Sequence, residues 1–248
     1  MRKNKTQRGA VQIAPMHALL LALSDDLSLP LLQIKSSVEA LQQVSFAKGA
    51  SRLQSEKISL SADNGLQLIE AYKLVLKAGV MDHEEFEPVS IGAILQDVAH
   101  QLTPYAKKYD TELFVDVQHR LTPVLAHQPS LNAALQVLSA SMVRAQAAQV
   151  QQKRYKLLLG AHRGADNVIS TGVFSSVHGL SDKTLRSARG LAGKARQPMP
   201  SLPAGAASGV LIADMLCSAM WQPLRAAAHG GMHGLATAVP ISKQLQFV

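Results

Sequence analysis

A chain of 248 residues with 47% hydrophobic content has enough apolar side chain for one large domain or two small ones. Its formal charge of +8 favours acidic partners such as nucleic acid, anionic lipid or an acidic protein surface, while an aromatic content of 4% argues against recognition by base stacking. The single Cys217 excludes an internal disulfide and a multi-cysteine metal site, and no apolar run reaches the roughly 18 residues of a membrane span.

Residues 1–12 carry Arg2, Lys3, Lys5 and Arg8 and read as a flexible basic tail. No apolar h-region succeeds them, so a cytoplasmic location is the default expectation. From Met16 the apolar positions run Met16, Leu20, Leu23, Leu27, Leu31, Ile34, Val38 and Leu41, in steps of three or four. This is the stripe of an amphipathic helix, with Asp25 roughly opposite it and Pro30 beside it, where a kink is expected. Phe46–Ser51 reads as a break. A second helix is expected from Leu53 to Val80, with Leu53, Leu60, Leu68, Tyr72 and Val75 apolar. Gly65 weakens its centre by about 1 kcal/mol relative to alanine. One helical hairpin leaves its stripe uncovered, and two hairpins joined as a four-helix bundle bury it. Residues 13–82 are therefore expected to form a homodimerisation domain whose interface includes Met16, Leu20, Leu23, Leu27, Leu31, Ile34, Leu68 and Tyr72.

Residues 83–248 have a different pattern. Pro88 to about Lys108 reads as a helix, with an early end expected at Pro104. Glu112–Gln118 alternates as a strand, with Leu113, Val115 and Val117 on one face and Phe114 and Asp116 on the other. A helix is expected from Ser130 to about Gln149. Strands are expected over Lys156–Ala161 and Val168–Ser175, around the hairpin signal Gly164-Ala165-Asp166-Asn167. The stretch 186–209 reads as a loop, and Lys183, Arg186, Arg189, Lys194 and Arg196 make its region basic. Val210–Met220 is a short apolar helix. Pro223–Ala228 and Leu235–Ile241 are strands around Gly230-Gly231. The order predicts an α+β sandwich with helices on one face of a mixed sheet.

Residues 24–34, Ser-Asp-Asp-Leu-Ser-Leu-Pro-Leu-Leu-Gln-Ile, resemble the phosphoacceptor helix of sensor histidine kinases, whose pattern is His-Glu-Leu-Arg-Thr-Pro-Leu. The link Tyr72–Gly79 and then Phe86–Ile91 resembles that family's passage into its Bergerat-type ATP-binding domain. The resemblance implies that fold over about residues 14–245, with the chemistry altered. Asp25 stands at the acceptor histidine, Asp26 keeps the acidic neighbour, and Leu29 replaces the polar residue that positions water. In the stretch Leu135–Arg144, Val137 and Ser141 stand where the family has asparagines for Mg²⁺ and phosphate. Ser175 and Val177 stand at the adenine-binding aspartate and the first glycine of the next box, and Gly205–Gly209 keeps two of three glycines of the last. Mg²⁺ needs hard oxygen ligands, which valine does not supply.

The resemblance thus implies a catalytically inactive histidine-kinase-like homodimer with no catalytic, metal or cofactor residues. It would bind a response regulator or another signalling protein through a surface near Asp25, Asp26, Ser28 and Leu29. Two other readings stay open: a divergent active kinase or phosphotransferase with an unrecognised acceptor, and a basic nucleic-acid-binding module. Among other histidines, His17 flanks the stripe, while His229 and His233 bracket a strand turn with no third metal ligand in evidence. Cys217 falls within an apolar helix and reads as core, and the adjacent Asp25 and Asp26 do not face each other for acid–base work.

Overall fold

The computed structural model describes residues 30, 33, 34, 36, 37, 48–78, 85–147, 154–176, 181–191, 206–220 and 223–242. Met16, Leu20, Leu23, Leu27, Leu31, Asp25, Asp26, Ser28 and Leu29, the tail 1–12 and His17 lie outside these residues.

The first long element, α1, spans Lys48–Ala78, so the break expected over Phe46–Ser51 already contains helix from Lys48 onward. Leu68, Ala71 and Val75 repeat at steps of three and four and are buried in one apolar core with residues of the sandwich. Leu68, expected at a dimer interface, is 2% exposed within this chain. Tyr72 and Ile34 are half-buried, and partial burial raises the Tyr72 phenol's pKa above its ordinary value. A Cβ at Gly65 would lie 3.8 Å from the Cγ of buried Pro30, so the glycine that weakens the helix marks where the two segments meet.

Pro88 falls in a short strand, β1 (Glu87–Val89), rather than starting a helix. Ser90 then caps α2 (Ile91–Lys108), its hydroxyl accepting from the Ala93 N–H at 3.4 Å. Pro104 does not end α2. Ile91, Ile94, Leu95, Val98, Leu102 and Tyr105 form a buried face that runs past it, and this packing outweighs the one backbone bond that proline removes. Then come β2 (Thr111–Val117), β3 (Val124–Ala126) and α3 (Gln128–Ala147). The sequence pattern does not reveal β3, three residues paired antiparallel with β1. β4 (Tyr155–Arg163) and β5 (Val168–Ser175) join through a turn in which Asp166 and Asn167 take φ of 57° and 55°, the left-handed pair of a type I′ hairpin.

The expected loop over 186–209 contains the second half of α4 (Asp182–Leu191) and the first turn of α5 (Ala206–Met220). β6 (Arg225–His229) and β7 (Met232–Pro240) form a hairpin through Gly230 and Gly231. The main sheet has the order β2-β4-β5-β7-β6, with β2 parallel to β4 and every other pair antiparallel. This is the α+β sandwich that the element order predicts.

Period-two alternation divides the sheet into two faces. Leu157, Leu159, Ala161, Ile169, Val173, Leu235 and Val239 point into the core beneath α2, α3 and α5. On the opposite face Leu158, Phe174 and Ala236 form a second, smaller cluster with Ala227 and Met232. An ion pair buried on its Asp214 side clips the helices to the sheet. Arg189 of α4 donates to Asp214 of α5 through Nε at 2.8 Å and Nη2 at 2.9 Å, and also to the Leu224 carbonyl at 2.7 Å. Asp214 Oδ1 accepts in turn from the Leu224 N–H at 2.9 Å.

Cys217 of α5 is buried, as its apolar context predicts, and burial pushes its thiol up to about 12. Since the thiolate is the reactive form, native protein at pH 8 should resist iodoacetamide for hours and react promptly in denaturant. Modification by mass spectrometry at equal rates in both conditions would contradict the packing of α5.

Candidate functional site

The resemblance directs attention to α3, the end of β5 and the start of α5. Val137 and Ser141 lie four residues apart and so share one face of α3. That face meets α5. Val137 is 3% exposed and Ser141 is fully buried. Gly209 is the contact residue on α5: a Cβ there would lie 3.1 Å from the Val137 carbonyl oxygen and overlap the Ser141 hydroxyl. Gly209 therefore serves close helix–helix packing, with its absent side chain letting the two backbones approach. The N-terminal half of this glycine box, Gly205, lies outside the described residues, as do Val177 and Gly179.

Ser175 is buried at the end of β5, where its Oγ accepts a hydrogen bond from Gln146 Nε2. The same Gln146 amide donates to the Lys156 carbonyl at 3.1 Å, tying the last turn of α3 to β4. α1 also packs on both α3 and α5. The structure thus brings Val137, Ser141 and Gly209 together and places Ser175 near the far end of the same helix.

Among the described residues, the side chains at these positions do not fit a magnesium nucleotide. Val137 offers no oxygen, Ser141 directs its hydroxyl into the α3–α5 contact, and Ser175 is engaged by an amide. Among the described residues no three His, Cys, Asp or Glu side chains form a metal-binding group. No described helix is long and apolar enough to cross a membrane.

A second polar constellation lies on the other face of the sheet, assembled from three strands. Asp116 of β2 accepts from His229 Nε2 at 2.9 Å, and His229 Nδ1 meets His162 Nδ1 of β4 at 3.0 Å. His229 sits over Gly160, whose missing side chain makes room: a Cβ there would lie 2.8 Å from the ring. Phe174 packs on the same imidazole, with ring centroids 5.3 Å apart. In the sequence, partners for His229 are visible only near its own turn. The alternation does place Asp116 on the polar face of its strand, but nothing local links it to residue 229.

The sequence matches no protein-family profile and no curated protein. Solved structures do match. ShkA, determined full-length in complex with AMPPNP, aligns with TM-score 0.50 at 15% identity over 91% of this chain and 44% of its own. The histidine kinase AdeS of Acinetobacter baumannii aligns with TM-score 0.51 at 10% identity over 86% of this chain and 96% of its own. The fold is that of a histidine kinase. A bacterial phosphotransferase also aligns, with TM-score 0.45 at 14% identity over 96% of this chain and 98% of its own. The histidine-kinase-like chain spans less than half the length of ShkA.

Proposed function

We propose that this chain acts in two-component-type signalling by docking proteins, as a homodimeric histidine-kinase-like scaffold without ATP-dependent phosphorylation. The observation that carries the reading is the α3–α5 contact. The side chains standing at the nucleotide positions are spent on packing, with Ser141 fully buried against Gly209. A helix interface closed to this density excludes a polyanionic ligand unless the helices separate. The docked partner is a response regulator or a comparable signalling protein. Its surface on this chain is the segment around Asp25, Asp26, Ser28 and Leu29, where carboxylates stand at the position the resemblance gives to an acceptor histidine.

Calorimetry with Mg-ATP tests the nucleotide half of the proposal. No saturable heat is expected up to millimolar nucleotide. A Mg²⁺-dependent isotherm with a micromolar Kd would overturn it. A second reading, a divergent phosphotransferase with an unrecognised acceptor, draws support from the histidine constellation on the sheet. Incorporation of label from ATP into the wild-type protein would favour that reading over the scaffold.

Dimerisation is tested by light scattering. The stripe from Met16 to Leu41 supports it, and Leu66 of α1, 61% exposed, offers a position to probe. A dimer mass is expected at micromolar concentration, shifted toward monomer by Leu66→Glu. A monomeric wild type would remove the dimer from the proposal.

A further inference from the structure

Asp116, His229 and His162 form a hydrogen-bond chain across three strands. A carboxylate only accepts, so His229 Nε2 carries the proton given to Asp116. With His229 neutral, its Nδ1 is the acceptor and His162 Nδ1 carries the proton between the rings. The centroids are 5.0 Å apart with planes inclined by 20°, while the two Nδ1 atoms are 3.0 Å apart. Rings this far apart are offset rather than overlaid, with Nδ1 close to Nδ1. Such a pair suits one shared proton. It does not suit a metal ion, whose ligands must converge on a common point between them.

In that tautomer the chain ends at His162 Nε2, which is left with a lone pair. Nε2 has no hydrogen-bond partner among the described residues and is not one of their buried unpaired atoms, so it reaches solvent. Burial, and after it repulsion from His229 whenever that ring is protonated, hold the His162 pKa below the ordinary histidine range, which favours the neutral ring.

We propose that His162 is a phosphorylatable histidine, its Nε2 accepting a phosphoryl group from an acyl phosphate while the His162–His229–Asp116 hydrogen-bond chain stabilises the product. The Nε2 lone pair forms the N–P bond, the P–O bond to the acyl oxygen breaks, and its electron pair leaves with the carboxylate. The ring becomes cationic as the bond forms. Its Nδ1–H, already donated to His229, passes that charge toward the Asp116 carboxylate, the arrangement by which a neighbouring acceptor activates a nucleophilic nitrogen. His229 and Asp116 are positioning residues: neither touches the phosphoryl group. The reaction uses no nucleotide. It goes beyond the docking reading, which stands or falls on separate experiments.

The test incubates the full chain with ³²P-acetyl phosphate and, in a parallel arm, with a receiver domain carrying an aspartyl phosphate. Label is mapped by peptide mass spectrometry at alkaline pH, where phosphohistidine survives. Label on the His162 peptide in either arm is expected, and the arm identifies whether a small molecule or a protein is the donor. His162→Gln should abolish that label. Asp116→Asn and His229→Gln should slow it about tenfold with the fold intact by circular dichroism. The rate at His162 should also exceed that at the exposed His100 and His119, which lack such a chain and serve as internal references. Absence of label at His162 in both arms overturns the proposal. So does a rate no greater than at His100 and His119, or one unchanged in both positioning variants.

Discussion

Gly209→Val should lower the thermal midpoint by roughly 6–12 °C, corresponding to about 3 kcal/mol of lost stability. Two effects of opposite sign compete at this position. Inside a helix, removing a glycine normally gains a few tenths to about 1 kcal/mol of propensity. Here any Cβ overlaps the Ser141 hydroxyl and closes to 3.1 Å on the Val137 carbonyl, and both neighbours belong to a rigid helix. Overpacking therefore wins, because neither α3 nor α5 can retreat without opening the core around Val210, Ile212 and Leu216. Gly209→Ala tests the sign with less perturbation, and it should also destabilise. An alanine variant as stable as wild type in a thermal melt would mean that the two helices are not in contact here, and with it would go the main support for a closed nucleotide region.

Asp214→Ala should cost about 3 kcal/mol, and Asp214→Asn about 1 kcal/mol. The difference lies in the groups each leaves behind. Arg189 is 41% exposed along its side chain, so once released its guanidinium regains water, and its own contribution is modest. The Leu224 N–H has no such recourse, because Leu224 is buried and Asp214 Oδ1 is its acceptor. Alanine leaves that donor unpaired, whereas asparagine keeps an oxygen in place for it. Urea denaturation of both variants gives the comparison. Equal losses would mean that the charge, rather than the backbone bond, sets the value of this clip.

Long periodic elements are legible in the sequence because their burial is local in origin. The face Ile91, Ile94, Leu95, Val98 of α2 and the alternation of β5 announce themselves within single turns or residue pairs. Pro104 misleads because its cost is local while the packing that overrides it is not. β3 escapes detection for a related reason: three residues carry no period, and β3 exists through its pairing with β1. Gly209 reads as a remnant of a phosphate-binding loop, whereas its neighbours on α3 give it a packing role that only the helix crossing reveals. The helical expectation for the acceptor segment falls largely on residues outside those described. The histidine chain requires strands β2, β4 and β6 to be brought to one face and a hairpin tip to sit over Gly160. No spacing in the sequence encodes a meeting of residues 116, 162 and 229.

The burial of Leu68, Ala71 and Val75 in the same core as the sandwich changes the mechanical character of α1. A helix attached only through a linker can pivot without disturbing the domain beyond it. Here two turns of α1 are cemented to α3 and α5, so a torque or displacement applied near Lys48 travels along a stiff rod straight into the helical layer. The sandwich cannot be idle while α1 moves. The two ends of α1 share one lever, and a load at its Lys48 end reaches the helical layer over the sheet without any chemical messenger passing between them.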